Sequence, residues 1–328
     1  MSKEKIRKLQ SLASDPSAQV MLALEFLAEV TTTPKRGRKV PDRELTQSIL
    51  RVLIRTPHAD SRLPLLDLYA RYAQNGVKFD PGGYVRTSIV TALRPNLEPA
   101  DHQLLAAAVT TYEFPPPEFK EETALLRGAA LIALNELDDQ LARFHAARLL
   151  ADEYTDPMSG EPALSAARVL GTQGEDLLLY HYAAKTESAT RPEILSEALR
   201  NLTDLPEALL AGLIERHGES IHDVVLAGLF DLLLLHETPL ELRPSSRDFI
   251  NEFMRSTEQF DVYHYLISTA VAQLARGNES IWADLKEHMA TVNNREKAGI
   301  LLSTFSLLAH NSDVASNLQA LEERIVSR

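Results

Sequence analysis

The residues best equipped for chemistry in this chain fall into small groups whose spacing argues against an active centre. His217 and His222 lie five apart and flank Gly218, whereas two imidazoles on one helix face meet a metal best at four. Tyr-His-Tyr occurs twice, at 180–182 and 263–265. Consecutive helical residues point in different directions, so each triplet reads as packing, with His181 pointing alongside Lys185. Carboxylates cluster at Glu118, Glu121 and Glu122 and again at Glu136, Asp138 and Asp139. At helix ends such groups stay solvated or favour the helix N-terminus, more often than they act as acid–base pairs. Gly171-Thr172-Gln173-Gly174 lacks the strand and the Lys-Ser/Thr of a phosphate loop, and reads as a helix-to-helix turn. The chain has no cysteine, which removes disulfides, thiolate metal sites and a cysteine nucleophile together. No catalytic residue, metal ligand or cofactor is expected.

Binding chemistry is better represented. Polar side chains recur on alternate helices: Asp138, His145, Arg148 and Asp152, then His181 and Lys185, then Asp248, Asn251, Glu252 and Arg255, then Lys286. The helix at 205–217 interrupts this series with Ala208, Ala211, Gly212 and Glu215. Aligned, the stripes would form a mixed-charge groove with a shallow dip, suited to a peptide or helix. His145, Arg148, His181, Lys185, Asn251, Arg255 and Lys286 are therefore the expected partner-binding residues. A second possibility is the basic loop Lys35, Arg36, Arg38, Lys39 with Arg43 beyond it, which could clamp nucleic-acid phosphates. No aromatic residue interleaves it, so base stacking is not supported.

The elements that must position these residues are helices. Ala, Leu and Glu abound and Gly is scarce at 13, and no window sustains the alternation of a strand. The pattern predicts nine helix pairs: 3–13 with 17–31, 42–55 with 60–75, 84–94 with 99–112, 118–135 with 138–152, 160–171 with 174–186, 191–202 with 205–217, 219–235 with 246–256, 259–276 with 279–292, and 294–310 with 312–327. Thr190, Pro192 and Glu193 form a helix start, and Gly218 and Gly277 are expected as left-handed stops. Second helices carry one apolar stripe, such as Leu209, Leu210, Leu213 and Ile214. First helices such as 219–235 are apolar nearly all round. Small residues inside them (Gly128, Ala129, Ala166, Ala167, Ala198, Gly228) would let neighbouring pairs approach closely.

Similar blocks recur at Leu126–Ala130, Leu164–Arg168, Leu195–Leu199, Leu226–Phe230, Leu266–Ala270 and Leu301–Phe305, with spacings of 38, 31, 31, 40 and 35 residues. These blocks resemble HEAT repeats, relatives of the armadillo repeat, most clearly over 118–328. The regular Asp/Arg pair found between neighbouring repeats of that family is not evident. The resemblance implies an all-α fold: a right-handed superhelix of about nine stacked hairpins, with second helices lining the concave side. HEAT-like DNA glycosylases hold DNA on such a surface, using tryptophans. Here the one tryptophan, Trp282, lies in the acidic part of the chain.

Charge divides the chain. Residues 1–100 hold 16 Lys/Arg and 10 Asp/Glu, a net of +6, while 101–328 hold 18 and 36, a net of −18. The expected division is a basic N-terminal region, 1–117, and an acidic repeat region, 118–328. The N-terminus has no apolar leader and Leu226–Leu235 is too short to span a bilayer. These readings converge on a cytoplasmic, non-enzymatic scaffold that binds a protein or peptide on its concave surface, with nucleic acid the lesser alternative and no membrane role.

Overall fold

The computed structural model describes residues 2–32, 42–187, 191–203, 205–235 and 242–326. They are all-α: nineteen helices, and no strand among the described residues. The helices form two compact units, residues 1–169 and 170–328. The composition break at 117/118 falls inside the first unit.

In the first unit the pairs are α1 (Ser2–Ser11) with α2 (Pro16–Thr32), α3 (Arg43–Arg55) with α4 (Arg62–Ala73), α6 (Tyr84–Leu93) with α7 (His102–Ala108), and α8 (Ala124–Asn135) with α9 (Asp139–Leu150). A single turn, α5 (Gly76–Phe79), sits between α4 and α6, and α10 (Ala163–Thr172) crosses the boundary between units. First helices pack on first helices, α1 on α3, α3 on α6 and α6 on α8. Second helix α2 packs on α4.

The second unit repeats the arrangement. It holds α11 (Asp176–Lys185), then α12 (Pro192–Arg200) with α13 (Glu207–His217), α14 (Asp223–Leu234) with α15 (Pro244–Ser256), α16 (Phe260–Ala275) with α17 (Trp282–Thr291), and α18 (Arg295–Phe305) with α19 (Ser312–Val326). One row runs α12, α14, α16, α18 and the other α11, α13, α15, α17, α19. Each helix thus touches the helix two further along the chain. That neighbour pattern is what stacked hairpins require, since a single hairpin buries only part of its apolar surface.

Local sequence explains the elements. Asp42, Asp138 and Asn294 each accept a backbone N–H at a helix start, occupying donors that the first turn otherwise leaves bare. Ile194, Leu195, Ala198 and Leu199 bury one face of α12. In α14, nine of the twelve residues are buried. It lies between α12 and α16 in its row, so the run that reads as apolar on every side is covered on several. Gly228 makes this possible. A Cβ there would stand 2.6 Å from the Ser196 carbonyl oxygen of α12.

Three local expectations need correction. Gly218 does not end its helix left-handed; it has φ −63° and ψ −24°. Its lack of a Cβ matters for space instead, because one would meet Ile214 O at 2.7 Å and Phe249 at 2.8 Å. Gly277 is left-handed as expected, with φ +83°. The helix predicted from 118 begins at Ala124. Pro115-Pro116-Pro117 stops the backbone, and the loop closes on itself with Glu122 N donating to Glu113 O. The segment predicted as helix over 99–112 holds a short 3₁₀ turn and then the seven residues of α7. The helix start at Thr190 lies outside the described residues; Arg191 and Pro192 open α12.

Candidate functional site

The polar contacts between repeats reveal a register. Arg62 donates to Asp101 at 2.7 Å, Tyr112 to Asp152 at 2.8 Å, Tyr265 to Asp231 at 2.7 Å and Asn251 to Asp284 at 2.8 Å. Their separations along the chain are 39, 40, 34 and 33 residues, the length of one hairpin. Much of the polar chemistry in the chain is therefore used to join one repeat to the next.

Beside these joints stand two buried charge clusters that sequence reasoning missed. Arg86 is 2 % exposed and Asp80 is fully buried. Arg86 Nε donates to Asp80 at 3.1 Å, and its other nitrogens to Glu113 at 2.7 Å. Burial disfavours the Arg86 charge, but the two carboxylates hold its pKa above the ordinary value. One repeat on, Arg127 is fully buried, 2.7 Å from Glu121 and 3.4 Å from Asp152. The sequence contains a signal for this. Arg86, Arg127 and Arg168 are spaced 41 residues apart, each in the first helix of its pair. Arg168 is exposed, so two of the three enter the core. Glu121, one of the carboxylates expected to be solvated, is 2 % exposed at its side chain.

The expected partner-binding residues fall into two groups. Arg148 donates to Val109 O at 3.1 Å and to the Tyr112 hydroxyl. Asn251 holds Asp284, and Lys286 reaches Asp313 at 3.3 Å, with its ammonium 5.5 Å from the Trp282 ring centre. These three link helices. His181, Lys185 and Arg255 are exposed and His145 is half-buried. Burial, and then the Arg148 charge, lowers the His145 pKa. The dip on α13 is open: nothing approaches within 4 Å of where a Gly212 Cβ would stand. In the first unit the pattern concerns His145 and Arg148; in the second it concerns the other five.

Of the basic loop, Lys35, Arg36, Arg38 and Lys39 lie outside the described residues. Arg43 is in α3, its guanidinium 5.7 Å from the Tyr84 ring centre. His217 is buried and pairs with Ala183 O at 3.0 Å, while Tyr263 meets His288 at 2.9 Å. Among the described residues no three His, Asp or Glu side chains are grouped to hold a metal ion, and no helix is long and apolar enough to cross a membrane.

Second helices also expose large apolar side chains. Met21 on α2, Leu63 on α4 and Phe144 on α9 are 59 %, 70 % and 66 % exposed. In the second unit Leu177 on α11 is 78 % exposed. All four stand on second helices. Within first helices Tyr84 and Ile54 reach 50 % and 38 %, while Ile221 at 83 % and Leu307 at 73 % stand just before α14 and just after α18. An open groove of about 740 Å³ beside Met21 is lined by Leu24, Ala28 and Pro64. A lone apolar residue in mid-helix was the available signal, at Phe144 among Arg143 and His145. Comparison with protein-family models, curated proteins and solved structures found no match.

Proposed function

We propose that this chain is a non-enzymatic, HEAT-like solenoid of about nine hairpins that binds a protein partner along its second helices. The observation that carries the reading is the exposure of Met21, Leu63, Phe144 and Leu177 on that one class of helix. Large apolar side chains left in water on one kind of face mark surfaces that a partner covers. In the second unit His181 and Lys185 share α11 with Leu177, and Arg255 is exposed on α15; such polar groups give orientation more than affinity. The open position at Gly212 leaves room for a bulky side chain of the partner.

The test is direct binding of a partner recovered with the full chain. Phe144→Asp and Leu177→Asp each weaken binding at least about tenfold, as loss of an apolar anchor does. Alanine at His181, Lys185 or Arg255 weakens it only a few-fold. Unchanged affinity in both aspartate variants would overturn the reading.

A further inference from the structure

Two consecutive inter-repeat loops, 110–123 before α8 and 151–162 before α10, meet at one edge of the first unit. The Tyr112 and Tyr154 rings stand edge-on at 5.8 Å, and Phe114 and Tyr154 at 5.4 Å. Each loop is closed on itself, by Glu122 N to Glu113 O and by Asp156 N to Glu161 O. Arg127 ties both from beneath, reaching Glu121 in one and the Tyr154 carbonyl oxygen in the other. The tips are near enough that the Lys120 charge helps lower the Asp156 carboxyl, behind its bonds to Ser159.

On this fixed base the exposed side chains are mainly apolar and acidic, with one cation, Lys120, among them. Phe119 is 66 % exposed and Met158 95 %, with Phe114 and Tyr154 near 40 %. Phe119 has φ +50°, a conformation strained for a bulky residue, yet its ring is turned to water. Glu118 and Glu153 are exposed beside them. The negative field is felt at Tyr154, whose hydroxyl pKa is raised chiefly by the Glu153 charge.

We propose that this loop edge binds a basic linear segment of a partner protein, one carrying arginines beside aliphatic or aromatic residues. Charge complementarity selects that occupant. The protein's own interior supplies the pattern: Arg127 lies 3.9 Å over the Tyr112 ring between Glu121 and Asp152. A partner arginine on the Phe114–Tyr154 pair, with Glu118 and Glu153 about it, repeats that chemistry at the surface. The surface is distinct from the second-helix face and does not depend on it.

The experiment titrates the full chain against a fluorescent peptide of alternating Arg and Leu, with a Glu/Leu peptide as control. The Arg/Leu peptide binds saturably, weakens steeply as salt is raised, and the Glu/Leu peptide does not bind. Phe119→Gly, which also relieves the backbone strain and so retains the fold, combined with Met158→Ala, weakens binding about tenfold or more. Glu118→Gln with Glu153→Gln does the same and flattens the salt dependence. Leu63→Asp with Phe144→Asp leaves peptide affinity unchanged, so failure of the second-helix reading is seen separately. Absence of saturable binding, or equal affinity in the Phe119/Met158 variant, would overturn the proposal. So would self-association of the chain that competes with the peptide, because it would assign the edge to a second copy.

Discussion

Arg127 and Tyr112 are stacked, 3.9 Å from guanidinium carbon to ring centre, and both reach the Asp152 carboxylate, Tyr112 donating to it at 2.8 Å. One residue belongs to the first helix of a repeat and the other to the loop before it, while Asp152 belongs to the loop after. The trio therefore pins α8 and the loops on either side of its hairpin with a single buried cation.

Removing that cation leaves Glu121 and Asp152 without compensation in a site that water cannot enter. Arg127→Met is expected to cost about 3–5 kcal/mol, the usual consequence of breaking a buried pair from one side. Removing one of the two stranded charges with Glu121→Gln in the same chain recovers part of the loss. Urea denaturation of the single and double variants checks this. A single variant as stable as the parent would contradict it.

Gly228 is the second sensitive position. Its α-carbon faces the Ser196 backbone, where a methyl group would approach the carbonyl oxygen to 2.6 Å. Backbone cannot rotate away as a side chain can, so Gly228→Ala is expected to destabilise by about 1–3 kcal/mol, despite alanine's better helix propensity. Gly212→Ala, with open space at the same atom, stabilises by about 0.5–1 kcal/mol. Thermal melts of the two variants should move in opposite directions.

Acid sensitivity follows from His288, whose pKa burial lowers to about 4, with Lys297 and Arg255 adding to the effect. Its unfolded value lies near 6.5. Above that pH neither state is protonated and the group contributes nothing. Between about 6.5 and 4 the unfolded chain takes up a proton that the folded chain refuses, so stability falls as pH falls. His217, also lowered chiefly by burial, acts in the same direction. His288→Gln is expected to flatten the decline of stability over this window. Superimposable pH profiles would contradict the assignment.

Arg148 separates structure from recognition. Its guanidinium is committed to Val109 O and Tyr112, so Arg148→Ala is expected to lower stability by about 1 kcal/mol. Phe144→Asp, at a side chain 66 % exposed, leaves stability nearly unchanged while weakening partner binding. The reverse ranking in paired melting and binding measurements would contradict the reading.

The pairing of helices was legible because apolar spacing and turn residues repeat: α14 reads as apolar on every side and is buried on nearly all of them. The loop over 113–122 was not, because Glu118, Glu121 and Glu122 favour a helix start as readily as a loop, and nothing local says that Glu121 turns inward to Arg127. Buried charge hides from pattern reading. An arginine or glutamate looks solvated until its partner, dozens of residues away, is brought beside it. Only the recurrence of Arg86 and Arg127 at one hairpin length hinted at the two clusters. The polar stripes had a related weakness. Spacing places Arg148 and Lys286 on a helix face, but does not reveal that each, while still accessible to water, also reaches a group of a neighbouring repeat.

Photo-crosslinking tests the central claim most directly. A benzophenone side chain is placed in turn at Leu63, Phe144 and Leu177 on second helices, and at Ile54 and Tyr84 on first helices, all accessible to solvent. The account predicts that one protein partner is captured from the second-helix positions and not from the first. Capture of that partner from Ile54 and Tyr84, with none from Leu63, Phe144 or Leu177, would contradict it.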